Sequence, residues 1–200
     1  MPVLDHRLYI LTIGVSTGGP NALADLRPVF PENFPVPIVI VQHMPPLFTK
    51  LLAERLSSKS NIEVFEGSPG VKLEPGKAWI APGDFHMVLS RKGTDIFLET
   101  NQEPPENSCR PAVDVLLRSV VKLYGGRTLG VVLTGMGQDG LIGSEIIKDA
   151  GGQVVVQVEA SSVVWGMPGF VTKSGLAVKV LPLNHVCPKI IRRLKTGRTF

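Results

Sequence analysis

The run Leu8–Val15 (LYILTIGV) is apolar along almost its whole length, with no in–out alternation, and Ser16–Pro20 breaks it. Pro37–Val41, Leu129–Leu133 and Gln153–Val158 repeat the pattern. A strand that is apolar on consecutive positions is buried on both faces, which requires a sheet covered by helices on both sides. Between these runs the apolar residues return at helical spacing. Leu23, Leu26 and Val29 mark a helix in Asn21–Val29, and Leu51, Leu52 and Leu56 mark another in Phe48–Leu56. Further helices are expected over Ala112–Tyr124 and Gln138–Asp149. Strand and helix in alternation predict an α/β fold, doubly wound, with a mostly parallel sheet between helical layers.

The middle of the chain reads differently. Ile62–Phe65, Lys77–Ala81, Met87–Leu89 and Ile96–Leu98 are short, and Arg91-Lys92-Gly93-Thr94 has the character of a hairpin turn. An antiparallel excursion is expected here. Asn101–Pro111 is a polar, Pro-rich loop. With 200 residues and no flexible linker, residues 1–200 are expected to form one domain. A 44% apolar chain has the core that a disordered chain lacks.

Several classes drop out. No apolar run approaches the roughly 18 residues of a membrane span. The start, Met1–Arg7 with Asp5, leads into no signal-peptide core, so a cytoplasmic location without membrane insertion is expected. Cys109 and Cys187 stand far apart, which suits two free thiols and neither a disulfide framework nor a metal site. The net charge of +4 gathers in the tail, where Lys189, Arg192, Arg193, Lys195 and Arg198 meet no acid. The tail is read as the solvated face of a last helix, since no nucleic-acid motif accompanies it.

In an open parallel sheet, ligands sit beyond the carboxyl ends of the strands. Three such ends carry chemistry. Gly14-Val15-Ser16-Thr17-Gly18 closes the first strand, Gln42-His43-Met44-Pro45 the second, and Thr134-Gly135-Met136-Gly137-Gln138-Asp139-Gly140 a later one. Ser16, His43 and Asp139 therefore arrive at one sheet edge, the set that acyl transfer uses. Gly-x-Ser-x-Gly is the pattern of a nucleophile elbow, in which flanking glycines let the chain turn and expose Oγ.

A dinucleotide loop is the nearest alternative. It needs Gly where Ser16 stands and an acid after the second strand, where Gln42-His43 stands. A Walker loop needs Gly-Lys-Ser/Thr, which is missing. Two competitors stay open. His185 comes late in the chain, as the histidine of α/β-hydrolases does. Asp139 has the position of a cap for the helix that follows it.

Taken together, these segments resemble the catalytic domain of the protein-glutamate methylesterases of bacterial chemotaxis, the CheB family. The resemblance also rests on Ile80-Ala81-Pro82-Gly83-Asp84, His86-Met87, Arg110-Pro111, Val113-Asp114 and Gly166-Met167-Pro168. It implies a three-layer α/β/α domain with a sheet of about seven strands. It implies a Ser16, His43, Asp139 triad, main-chain oxyanion donors at Thr17 and Met136, and no metal or organic cofactor. Met44, Arg110 and Trp165 are candidate substrate contacts. The implied activity is hydrolysis of glutamate methyl esters on cytoplasmic chemoreceptor helices, with glutamine deamidation in some members.

Relatives of this kind carry an N-terminal receiver domain, which residues 1–200 do not include, so such a domain is an expected partner. Cys109 stands where the family has His, Ala112 where it has Ser, and Trp165 where it has Phe. These departures are expected to touch substrate contacts and not the triad. Activity is expected to fall as His43 protonates near the reference value of about 6.5. The rival readings are a binding domain without turnover, which would tolerate Ser16→Ala, and a small-ester hydrolase, which would need a deep pocket.

Overall fold

The computed structural model describes residues 7–26, 29–196 and 200. Residues 27 and 28 of the expected Asn21–Val29 helix, the chain start with Asp5, and Arg198 of the basic tail lie outside the described residues.

Apolar runs become strands and the breaks after them become loops or helix starts. In chain order the elements are β1 Ile10–Val15, α1 Gly19–Leu26, β2 Ile38–Gln42, α2 Phe48–Ser57, β3 Glu63–Glu66, β4 Lys77–Ile80, β5 His86–Lys92, β6 Asp95–Asn101, α3 Val113–Tyr124, β7 Thr128–Val132, α4 Leu141–Asp149, β8 Gln153–Gln157, α5 Met167–Lys173, β9 Lys179–Leu181 and α6 Leu183–Thr196. Seven strands form one sheet in the order β3-β4-β2-β1-β7-β8-β9. Every pairing in it is parallel.

Consecutive residues of a strand point to opposite faces, and both faces here are apolar. Leu11, Ile13 and Val15 pack with Ile38 and Ile40 against Leu23 and Leu26 of α1, Leu52 and Leu56 of α2, and Val186 and Ile190 of α6. Ile10, Val39, Val41 and Val156 pack against Leu116, Leu117 and Val120 of α3, Ile147 of α4 and Val171 of α5. Leu89 and Leu98 of the β5–β6 hairpin complete that second layer. Each such side chain contributes about 1.5–3 kcal/mol on burial. The three-layer α/β/α fold follows from that double burial.

β1 lies in the middle of the sheet. From β1 the chain goes to β2, skips to the edge strand β3, fills the gap with β4, and then returns through the hairpin and α3 to β7 on the other side of β1. That reversal opens a crevice at the carboxyl ends of β1 and β7, where sheets of this kind bind ligands.

The expected antiparallel excursion is the β5–β6 hairpin, which turns at Gly93-Thr94, while Ile62–Phe65 and Lys77–Ala81 join the parallel sheet as β3 and β4. Other expectations need correcting. The helix expected from Gln138 starts at Leu141, because Gly137 and Gly140 take φ of 87° and 92° and keep residues 138–140 in a loop. The basic tail is only partly solvated. Arg193 is buried in α6, with Nε donating to Gln153 Oε1 at 2.9 Å. No described helix is long and apolar enough to cross a membrane.

Candidate active site

Ser16 follows β1 directly. Gly18 takes a φ of 82° and turns the chain into α1, and Gly19 N–H closes the turn on the Ser16 carbonyl at 2.8 Å. The neighbouring loop comes close because Gly135 has no side chain. A Cβ there would stand 2.8 Å from Ser16 Cβ and 2.4 Å from Met167 Sδ. Ser16 N–H donates to the Thr134 carbonyl at 3.0 Å, and Thr134 Oγ1 donates to the Thr17 carbonyl at 2.9 Å. The N–H groups of Thr17 and Met136 have no hydrogen-bond partner among the described residues. Thr17 is exposed, and the Met136 side chain is 71% exposed.

His43 follows β2, the strand beside β1. Its N–H reaches the Val15 carbonyl at 3.2 Å, so it stands next to Ser16. The buried Gln42 amide ties the two ends together, donating to the Ser16 carbonyl at 3.0 Å and the His43 carbonyl at 3.1 Å. The ring engages Asp139, with Nε2 at 2.7 Å from Oδ2. Ser16 Oγ has no hydrogen bond to His43 among the described residues. Such contacts are often loose before substrate binds.

Asp139 is almost fully buried, at 2% exposure. Besides His43, its carboxylate accepts from Val113 N–H at 2.6 Å, Asp114 N–H and Gly140 N–H at 3.0 Å each, and Asn107 Nδ2 at 3.0 Å. The helix it caps is α3, which follows the distant Asn101–Pro111 loop, and not the adjacent α4. A carboxylate at a helix N-terminus with this many donors is stabilised as an anion. Burial works against the Asp139 charge, yet the bonds from His43, Asp114 N–H and Val113 N–H hold its pKa below the ordinary carboxylate value. Burial works against the His43 cation too. The bonds to Asp139 and Cys109 and the Asp139 charge outweigh it and push His43 up to about 9. That lies above the reference value of about 6.5 near which the fall in activity is expected.

Behind this pair lies a second carboxylate, Asp114, which shares the Asn107 amide at 2.9 Å and accepts from Gly143 N–H at 2.7 Å. Burial, with the nearby Asp139 charge adding to it, pushes Asp114 up to about 6 against those bonds. Asn107 and Asp114 were not legible as site residues, although Val113-Asp114 stood among the family segments. The Cys109 thiol does reach His43, contrary to expectation: its Sγ lies 3.6 Å from His43 Nδ1.

The remaining candidates divide. His43, Met44, Asp84, Cys109 and Arg110 line an open cleft of about 410 Å³. Arg110 is committed there, with Nη2 on Asp84 Oδ1 at 2.6 Å and Nη1 on the Gln102 and Glu103 carbonyls. Trp165 lies outside that lining, bridged to Gly135 and donating from Nε1 to the Gln157 carbonyl at 3.1 Å. His185 is exposed on α6. His86 is held by the Pro104 carbonyl and Ala112 N–H, so among the described histidines His43 alone bonds Asp139.

Comparison with known proteins gives the family and the fold. A family model described as CheB methylesterase matches residues 11–190. A protein-glutamate methylesterase/protein-glutamine glutaminase from Trichodesmium erythraeum is 60% identical over 192 residues, which are 96% of this chain and 54% of that protein. A protein of the same description from Maricaulis maris is 48% identical over 191 residues, 96% of this chain and 48% of its own length. The chain thus spans about half the length of the curated relatives it matches. The crystal structure of the Thermotoga maritima CheB methylesterase catalytic domain superposes with a TM-score of 0.91 at 44% identity, covering 93% of this chain and 98% of that one.

Proposed function

The chain belongs to the CheB methylesterase family, and we propose that it hydrolyses methyl esters of glutamate side chains on cytoplasmic chemoreceptor helices. The observation that carries this reading is the His43–Asp139 contact of 2.7 Å, set at the strand end beside Ser16. The family match to residues 11–190 supports it.

Asp139 takes the Nε2–H bond, which leaves Nδ1 as the nitrogen that accepts the Ser16 proton. Oγ then attacks the ester carbonyl, and the Thr17 and Met136 N–H groups hold the oxyanion. Nδ1–H protonates the departing methoxide, which leaves as methanol. Water, deprotonated by the same nitrogen, cleaves the glutamyl–Ser16 ester and restores the serine. With a glutamine side chain the leaving group is ammonia, and the same residues serve. No step calls for a metal or organic cofactor. The cleft beside His43 is open and the Met136 side chain is largely exposed, which suits a side chain on a protein surface as substrate. Met44, Arg110 and Trp165 are its candidate contacts. We read the described residues as one catalytic domain acting in the cytoplasm without nucleic acid or membrane insertion. Where a receiver domain is joined to it, as the resemblance implies, that domain is its partner.

Methanol release from a methylated chemoreceptor fragment tests the reading. Ser16→Ala is expected to lower it by about 10⁶-fold, the scale of losing a serine nucleophile. Release at the wild-type rate from Ser16→Ala would remove the serine from its role.

A further inference from the structure

The cleft beside His43 holds one reactive side chain for which the chemistry above has no use. Cys109 is a free, half-buried thiol whose Sγ stands 3.6 Å from His43 Nδ1. Asp139 occupies Nε2, so Nδ1 is the nitrogen on which Ser16 depends. The sulfur, and not the serine, holds that nitrogen in this structure.

The turn that presents Cys109 is firmly built. Glu106 and Cys109 exchange backbone hydrogen bonds of 3.1 and 2.9 Å. The Arg118 guanidinium clamps the Glu106 carboxylate. Asn107 and Ser108 take φ of 52° and 61°, an uncommon conformation for residues with side chains. The same turn places Asn107 on Asp139, so one short segment touches both members of the pair.

We propose that Cys109 is a positioning residue that competes with Ser16 for His43 Nδ1, its sulfur occupying the side of the ring that the serine needs. This rests on the methylesterase reading of the site. The serine gains its base only when the ring proton leaves and the sulfur contact opens, so the thiol acts as a brake. The charged and titratable groups around the ring are Asp139 on Nε2, Asp114 and Glu106 behind it, Cys109 on Nδ1, and Asp84 with Arg110 across the cleft. Among them Cys109 alone touches Nδ1.

The test has two readouts, applied to the wild type, Cys109→Ala and Cys109→Ser, with folding checked by circular dichroism. Proton NMR follows the His43 titration, and methanol release is followed against pH. Removing the sulfur is expected to lower the His43 midpoint by about one unit, which raises the base fraction and the rate at pH 7 about tenfold. Cys109→Ser is expected between the two and stands in if the alanine variant does not fold. An unchanged midpoint overturns the proposal. So does a lowered midpoint without a faster rate in a chain that hydrolyses the ester. If no ester is hydrolysed by any variant, the NMR midpoint alone decides, and the methylesterase reading fails separately. Hydrolysis that survives Ser16→Ala but vanishes in Cys109→Ala overturns both, since the thiol would then be the nucleophile.

Discussion

Ser16 and His43 stand at neighbouring strand ends, but their surroundings are built by different means. The serine half is backbone. Its turn comes from Gly18, its neighbour approaches because Gly135 lacks a side chain, and its candidate oxyanion donors are main-chain N–H groups of Thr17 and Met136. The histidine half is side chain on side chain: His43 to Asp139, Asp139 to Asn107, Asn107 to Asp114, and Cys109 back to His43. A backbone half is rigid and makes little demand on residue type beyond glycine. A side-chain network is tunable, because a change at one member alters the hydrogen bonds and charge that its neighbours feel.

Asp139→Asn is where the difference should be largest. An amide offers one accepting oxygen where the carboxylate serves His43, Asn107 and the N–H groups of Val113, Asp114 and Gly140. The ester hydrolysis rate is expected to fall about 10⁴-fold, the scale of losing a triad aspartate. Stability is expected to drop by about 1–3 kcal/mol through unsatisfied buried groups, read by urea melts. A variant keeping a tenth of its activity would show that His43 works without its network.

The backbone half is probed at Met136. The side chain is largely exposed, so Met136→Ala is expected to stay within a few-fold of wild type. Met136→Pro removes the N–H, and kcat should then fall about 10²–10³-fold, the value of one oxyanion donor. Equal losses in the two variants would mean that the side chain, and not the main chain, matters there.

This contrast also explains what the sequence disclosed. Backbone requirements leave marks in residue type, so Gly14-x-Ser16-x-Gly18 and Gly135 were readable at the ends of apolar runs, as was the layered α/β fold behind them. His43 and Asp139 were readable by strand-end position. Their partners were not. Asn107 and Cys109 lie in a Pro-rich stretch whose composition indicates a loop and nothing about where its side chains reach. Asp139 caps a helix that begins far before it in the chain, at Val113, and no local pattern encodes such a bond. The pairing sense of β3 and β4 was hidden for a related reason: short strands look alike whether parallel or antiparallel.

Asn107→Ala sits below these in effect. It removes the donor shared by Asp139 and Asp114 and leaves an alanine at a positive φ. A loss of about 1–3 kcal/mol is expected from the unmade bonds, with a rate loss of about tenfold from a less firmly held Asp139. If stability falls while the pH profile of the rate is untouched, Asn107 shapes the loop and does not reach the chemistry.

The gentlest probe is stability against pH, and its sign separates the groups. The folded pKa of His43 is raised from 6.5 to about 9. Its contribution is therefore complete below 6.5 and is lost as pH rises through about 9. Asp114 is raised from 3.8 to about 6, so its contribution is likewise lost as pH rises, through about 6. Asp139 is lowered and acts the other way: its contribution is present above 3.8 and is lost as pH falls through its folded value. Thermal melts that start below pH 3.8 and run to pH 10 are expected to decline over two windows, from 3.8 to about 6 for Asp114 and from 6.5 to about 9 for His43, each by a few degrees. His43→Gln should erase the upper step and keep the lower one. Asp114→Asn should do the reverse. A single smooth decline unaffected by either variant would mean that the network titrates as one unit, and that its groups cannot be tuned separately in the way the backbone half cannot.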